Sequence, residues 1–305
     1  MACYEGAAHL AAQLASLEAQ SHADWSLDAS DDGSTDGTAD ILQAFRDRNP
    51  DRVRLFAGPR RGAAAAFLTL AERAVADAPG AALAFCDQDD VWMRGKLARA
   101  LRRMAARGDF RSEALAYASR TILTDARLHK LGLSHLHARG PSFPNALVQN
   151  ILGGNTIVLS PKAAEVLARS VPAALHAAVP YHDWWVYLIL SGYGATIDND
   201  SRPGLYYRQH GTNQLGHHGP VRGRLRRLGT IARRQYSRWL DANFSALTTC
   251  DTLLSPENSA LLAALIAARQ QGGGPFSKTL QTLGIHRQTS SGDRMLQLMA
   301  RTGRL

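Results

Sequence analysis

Asp87-Gln88-Asp89-Asp90 follows directly on the apolar run Ala81–Cys86, so a strand expected to be buried opens into three carboxylates. In an extended chain, side chains two residues apart project to the same side. Asp87 and Asp89 can therefore converge on one hard cation such as Mg2+ or Mn2+, which takes oxygen ligands. Mg2+ held by one or two carboxylates completes its shell with water and substrate phosphates, so the substrate this pattern calls for carries a diphosphate. An Asp-rich segment after a strand is also how a solvated turn caps the next helix. Asp90 is read in that role, capping or orienting the helix beyond Trp92.

A second acidic turn, Asp31-Asp32-Gly33-Ser34-Thr35-Asp36-Gly37, lies between a strand expected near Trp25–Ala29 and a helix. That is the carboxyl end of a strand, where α/β proteins bind ligands. A carboxylate there can accept from a base N–H or ribose hydroxyls, while the helix N-terminus favours phosphate. An Asx turn with Asp36 or Ser34 as N-cap explains the same residues, and both roles can hold at once. Gly153-Gly154-Asn155 allows either the close approach of a sugar to the backbone or a β-bulge.

The elements that must position these residues alternate. Helices are expected near Ala8–Ala19, Ala39–Arg48, Ala63–Ala76 and Gly95–Arg107, and strands near Trp25–Ala29, Val53–Phe56, Ala81–Cys86 and Ala114–Ala118. This rhythm predicts α/β units on a largely parallel sheet. A strand near Thr156–Leu159, a helix over Asp183–Leu190 and a strand near Leu205–Arg208 continue it less regularly. The chain opens in a loop-like segment, Met1–Gly6, running straight into a helix, so the first strand of a doubly wound sheet is read as missing and the chain start as late. The run Gly272-Gly273-Gly274-Pro275 is read as a loop before a short tail.

Composition narrows the class. A 305-residue chain with 45% hydrophobic residues can bury a sizeable core. Three widely spaced cysteines make neither a disulfide framework nor a metal-ligand pattern. No apolar run approaches the 18 or so residues needed to span a bilayer, and no signal-type segment opens the chain, so the reading is a cytoplasmic protein. The net charge of +9 points to an anionic partner. Much of it sits between Val221 and Trp239, where Arg222, Arg224, Arg226, Arg227, Arg233, Arg234 and Arg238 occur with no acid, while Val221, Leu225, Leu228, Ala232, Tyr236 and Trp239 recur at helical spacing. A basic amphipathic helix of this kind suits an anionic membrane surface, at the inner face of the cytoplasmic membrane. It is equally a helix packed on the rest of the protein with solvated arginines.

Taken in order, the Asp31 turn, Asp87-Gln88-Asp89-Asp90-Val91-Trp92 and His182-Asp183-Trp184-Trp185 resemble an inverting family 2 glycosyltransferase. Phe85–Trp92, Tyr207–Asn213 and Leu283–Gln288 are similar to its bacterial rhamnosyltransferase-like branch, and the resemblance covers essentially the whole chain. It implies a GT-A-type fold, with a catalytic domain over residues 1–218 (nucleotide-binding half 1–118, acceptor half 119–218) and a basic helical extension over 219–305. It implies a nucleoside diphosphate sugar donor, a glycan or lipid-linked acceptor, a divalent metal, and transfer of a hexosyl unit, rhamnosyl in that branch, in cell-surface polysaccharide synthesis. Tyr4 would lie against the base, Asp31 would bind it, Asp32 would orient the ribose, and Asp87 and Asp89 would be the metal pair. Asp183 is the candidate general base, which needs a carboxylate within reach of the acceptor hydroxyl and a pKa raised by desolvation. Trp184 and Trp185 could wall it, although Asp183 as a helix cap over core tryptophans uses the same residues. His210 is a candidate metal or diphosphate ligand, and Trp184, His182, Gly154 and Arg208 are candidate sugar or acceptor contacts. Glu5 and Ala66 stand where the family commonly has Asn, leaving donor contacts open, with Arg60 or Arg61 as the compensating residue near the phosphates.

Two other classes fit parts of the pattern. A non-catalytic sugar-nucleotide binder would keep the turns without the chemistry. A nucleic-acid-binding module would use the arginines, but no nucleic-acid motif accompanies them and the acidic turns would repel phosphate, so no nucleic-acid partner is expected.

Overall fold

Each apolar run followed by an amphipathic stretch becomes a strand leading into a helix. The structure, a computed structural model, describes residues 1–209 and 225–305. The order is β1 (Ala2–Cys3), α1 (Ala7–Glu18), β2 (Leu27–Asp31), α2 (Thr38–Arg48), β3 (Val53–Ala57), α3 (Ala63–Asp77), β4 (Leu83–Ala84), β5 (Val91–Trp92), α4 (Lys96–Ala105), β6 (Leu115–Thr124), β7 (Lys130–Leu133) and α5 (Phe143–Ala146). A 3-10 turn (Gly154–Thr156), β8 (Val158–Leu159), α6 (Pro161–His176), α7 (His182–Tyr193) and β9 (Thr196–Arg208) follow. The chain ends in α8 (Leu225–Thr249), a second 3-10 turn (Asp251–Leu253), α9 (Pro256–Gln271), α10 (Gly273–Thr282) and α11 (Ser290–Arg301).

The strand read as missing at the chain start is present in short form. Ala2 lies opposite Ser30 and Cys3 opposite Asp31, parallel to β2, and β2 pairs parallel with β3 over five residues. Only two residues are strand because Tyr4 turns out of the ladder toward the acidic loop, so no apolar run long enough to read as a strand precedes α1. A second sheet runs β4-β8-β6-β9-β5, with β7 added on β6. Its long pairing, β6 with β9, is parallel, and its short pairings are antiparallel.

One apolar cluster, including Leu10, Phe45 and Trp92, underlies the first half of the chain. A larger one joins Phe67, Phe85 and α7 to Leu240, Phe244, Leu265, Phe276 and Leu280 of the C-terminal helices. The C-terminal helices therefore share a core with the preceding region. The tri-glycine run is not a loop before a short tail: Gly272, at φ 65°, ends α9 and Gly273 begins α10 directly.

β9 is far longer than the Leu205–Arg208 expectation because its polar beginning is neutralised from outside. Asp198 accepts from Arg103 Nε at 2.5 Å and from Arg103 Nη2 at 2.8 Å, and from Arg107 Nη2 at 2.9 Å. Asp200 accepts from Tyr117 Oη at 3.0 Å and pairs with Arg99 at 3.3 Å. Burial pushes the Asp198 carboxyl up, but the guanidiniums of Arg103 and Arg107 more than offset it and hold the group below its ordinary value. We expect Asp198→Asn to lower unfolding stability at pH 7 by roughly 1–3 kcal/mol, the range for hydrogen bonds to charged groups. Because folding lowers this pKa, the contribution is complete above about pH 4 and is lost as pH falls through the folded value. Urea midpoints at pH 7 that match wild type would contradict it.

Candidate active site

The carboxyl ends of β2 in the first sheet and β4 in the second carry the two acidic turns, and Tyr4 beside the first is bonded to Gln88 in the other. At the end of β2, the Asp31 carboxylate accepts from the N–H groups of Gly33 at 3.3 Å and Ser34 at 3.0 Å, and from the Ser34 hydroxyl. Asp32 accepts from the backbone N–H of Arg60 and, at 3.2 Å, of Gly62, tying the turn to the loop before α3. Each carboxylate has about four lone-pair sites, so these bonds shape the loop without exhausting the acceptors. Asp36 accepts from Ala7 N–H at 3.0 Å at the first turn of α1 and, as an Asx turn, from Thr38 N–H at 3.1 Å where α2 begins beyond Gly37 in the left-handed region.

Tyr4 is 60% exposed beside this turn. Its backbone is clamped by Gln88, which accepts from Tyr4 N–H at 2.9 Å and donates to Tyr4 C=O at 2.9 Å. Gly6 leaves room for this clamp, since a Cβ there would stand 2.2 Å from Gln88 Oε1 and push that side chain aside. Gln88, whose own side chain was not singled out in the acidic run, thus joins the N-terminal loop to the carboxylates. Arg60 and Arg61 separate: the Arg60 guanidinium lies against Gly33, whereas Arg61 donates to Leu175 C=O at 3.1 Å on α6. Of the two, Arg60 is the one beside the Asp31–Asp32 turn.

The β4 ladder ends with Phe85 N–H donating to Ile157 C=O at 3.3 Å, and the next residues carry the carboxylates. Oxygens of Asp87, Asp89 and Asp90 lie within 4.8 Å of one another. Burial, then the charges of Asp89 and Asp183, push Asp87 up to about 7. An all-oxygen donor set with concentrated negative charge fits a hard divalent cation. His210, the third candidate ligand, lies outside the described residues.

Asp90 does not cap the following helix, which begins at Gly95 without a side-chain cap. It is 0% exposed, accepts from Asn155 Nδ2 at 2.6 Å, and burial raises its pKa well above the usual range. Its cap-like spacing gave no sign of this, because its partner Asn155 lies 65 residues away. Lys96 is also buried, 1% exposed, with its ammonium 3.0 Å from the Trp92 ring centroid and lowered to about 7 by burial. Arg208 braces the loop, donating to Asp89 C=O at 2.9 Å and Ala126 C=O at 2.6 Å, so those donors grip the backbone.

Asp183 sits at the second residue of α7 and accepts from Trp184 N–H at 2.7 Å. Burial raises it to about 6, against the opposing pull of the Trp184 and Gly154 N–H groups and the Asn150 side chain. His182 stacks on Phe67 at 4.1 Å, its Nε2 is buried without a hydrogen-bond partner, and burial pulls it down to about 3, so it is neutral. Gly154 lies against this pair, its Cβ position only 2.5 Å from His182 Nε2. The glycine serves that approach within a 3-10 turn, not a bulge. Trp184 is not a sugar or acceptor contact: it is 3% exposed and donates to Ala146 C=O at 2.7 Å. Residues 184–192 of α7 are all buried, as a helix apolar on every side must be. Tyr236 and Trp239 of α8 likewise face inward, Tyr236 donating to Val148 C=O at 2.7 Å and Trp239 packing on Tyr181 at 5.1 Å. Both are half-buried against the core, and residues 221–224 of the expected basic helix lie outside the described residues. No described helix is long and apolar enough to cross a membrane.

Residues 1–137 match the family model described as glycosyl transferase family 2. Among solved structures, S. aureus TarS 1–349 in complex with UDP superposes with a TM-score of 0.52 at 13% identity, over 99% of this chain and 86% of that one. The same protein with UDP-GlcNAc gives 0.49 at 13% identity, covering 99% and 90%. The mannosyltransferase PcManGT from Pyrobaculum calidifontis, in complex with GDP-Man and Mn2+, gives 0.46 at 20% identity, covering 99% and 84%. No curated protein matches the chain. The fold is thus GT-A-like α/β, mostly parallel, with a helical C-terminal region.

Proposed function

We propose, taking the family 2 match over residues 1–137 as the premise, that this chain is an inverting, metal-dependent glycosyltransferase that moves a hexosyl unit from a nucleoside diphosphate sugar to a hydroxyl of a glycan or lipid-linked acceptor. The observation that carries this reading is the convergence of one half-buried, raised carboxylate, Asp183, with the Asp87–Asp89 pair, close enough that its charge bears on Asp87.

In this reading Tyr4 and Asp31 receive the base, Asp32 the ribose, and Arg60 the diphosphate. Asp87 and Asp89 would hold Mg2+ or Mn2+, which when bound neutralises charge on the departing nucleoside diphosphate. Asp183 takes the proton from the acceptor hydroxyl, whose oxygen bonds to the anomeric carbon as the bond to the diphosphate breaks with its electron pair. A single base serving one displacement inverts the carbon. Neutral His182, backed by Phe67, would meet the sugar without competing for the proton. Rhamnose as the sugar and cell-surface polysaccharide as the product are favoured by the resemblance of Phe85–Trp92 and Leu283–Gln288 to the rhamnosyltransferase-like branch. Attachment to an anionic membrane would rest on the arginines of 222–238.

Thermal shift against UDP-, GDP- and dTDP-sugars with and without Mn2+ tests the reading, since a ligand at 100 times its Kd adds about 2.7 kcal/mol to apparent stability. One nucleotide class should stabilise only with metal, and no stabilisation by any would overturn the proposal. Gly154→Ala should fold but transfer at least about tenfold more slowly, because its methyl displaces His182 and the start of α7, and a misplacement near 1 Å can cost about 100-fold. Initial rates equal to wild type would count against that placement.

A further inference from the structure

The antiparallel register of β4 on β8 brings two distant segments together. Leu83 faces Leu159 and Ala84 faces Val158, and the Phe85–Ile157 bond extends the pairing by one residue. The chain leaving β4 therefore runs beside the chain entering β8, and Asp90 meets Asn155 as a result. Asn155 is 4% exposed, and its amide is the hydrogen-bond donor to Asp90. The turn that carries it is rigid: Thr156 N–H donates to Gly153 C=O at 2.8 Å, the Thr156 hydroxyl to the same oxygen at 2.7 Å, and Ile157 N–H to Gly154 C=O at 3.1 Å. The residue just before Asn155 makes the second link, with Gly154 N–H donating to the Asp183 carboxylate. Two consecutive residues of one short turn thus bond to Asp183 and to Asp90.

We propose that Asn155 is a positioning residue that sets the distance between the Asp87–Asp89–Asp90 cluster and Asp183, so that the metal-type site and the general base hold a common register. It rests on the glycosyltransferase reading above. The physical reason for such a device is that the two sites are far apart along the chain: the cluster follows β4 and the base opens α7, 93 residues beyond Asp90. Neutral Asn suits the task, because an amide donates to a carboxylate without adding charge to a crowded acidic site. The turn keeps its own Thr156 and Ile157 bonds, so truncation of Asn155 removes the bond that ties this turn, and Gly154 with it, to the cluster.

The test uses the full chain and two variants, Asn155→Ala and the less disruptive Asn155→Ser. Mn2+ is titrated calorimetrically in the presence of UDP, GDP or dTDP, with no acceptor. Loss of a partner behind a metal-type carboxylate typically weakens affinity roughly 10–100-fold, and both variants should fall in that range for the nucleotide that wild type binds. The low-pH limb of transfer should also move to higher pH, because the Gly154 N–H favours the charged form of Asp183 and its misalignment raises that pKa further. A folded variant with unchanged Mn2+ affinity, or one changed at the cluster with an unmoved pH limb, would overturn the strut. A wild type that binds none of the three nucleotides with Mn2+ would overturn the glycosyltransferase reading itself, and the strut with it.

Discussion

Asp183→Asn is expected to slow sugar transfer by roughly 100- to 10,000-fold, the range for removing a general base, while leaving Mn2+-dependent nucleotide binding intact. The side chain keeps its shape and its place at the start of α7 but can no longer accept the proton. In the wild-type protein the carboxyl is raised to about 6, chiefly by burial. The rate should therefore climb with pH through about 6 and level off above it, since only the ionised form is a base. The stability consequence has the opposite sign. A carboxyl whose folded pKa exceeds its unfolded value makes folding less favourable as pH rises between the two, so Asp183→Asn should melt at or above the wild-type temperature at pH 7. Transfer above a tenth of the wild-type rate, measured with donor saturating, would rule out Asp183 as the base.

Asp87→Ala/Asp89→Ala should abolish metal-dependent donor binding altogether. The oxygens of these residues and of Asp90 crowd within 4.8 Å, and burial together with the neighbouring negative charges raises Asp87. A divalent cation relieves that repulsion, so the same groups that make the metal-free loop unfavourable drive binding. Calorimetry with Mn2+ and nucleotide should give no heat for the double variant, and chelation of wild type should reproduce the loss. Retained affinity within threefold of wild type would exclude Asp87 and Asp89 as the pair. Thermal melting without metal supplies the control, because removing two mutually repelling carboxylates should leave the variant at least as stable as the metal-free wild type.

Much of the first half was legible before any coordinates. The helix expected over Ala39–Arg48 is Thr38–Arg48, and that over Ala63–Ala76 is Ala63–Asp77. Each is an apolar stripe at helical spacing entered through a glycine, and local periodicity suffices for that. The position of the acidic turns at strand ends was equally local. The polar strand Thr196–Asp200 was not, since nothing within it announces that Arg99, Arg103 and Arg107 will pair its carboxylates. Trp184 read as a wall of the site and lies in the core instead, because the faces of α7 are covered by elements that its own sequence does not mention.

The residue types at Asp31, Asp87, Asp89 and Asp183, and their place at the ends of strands or the start of a helix, follow from the sequence alone, because periodicity and turn chemistry act over a few residues. Which carboxylate is buried, which arginine faces the Asp31 turn, and how the base stands to the acidic cluster were decided only by the tertiary structure. Asp90 is bonded by Asn155, Arg61 is drawn away by Leu175, and Asp183 is held by Gly154. Burial and charge coupling depend on pairings between residues dozens of positions apart, which no local pattern encodes.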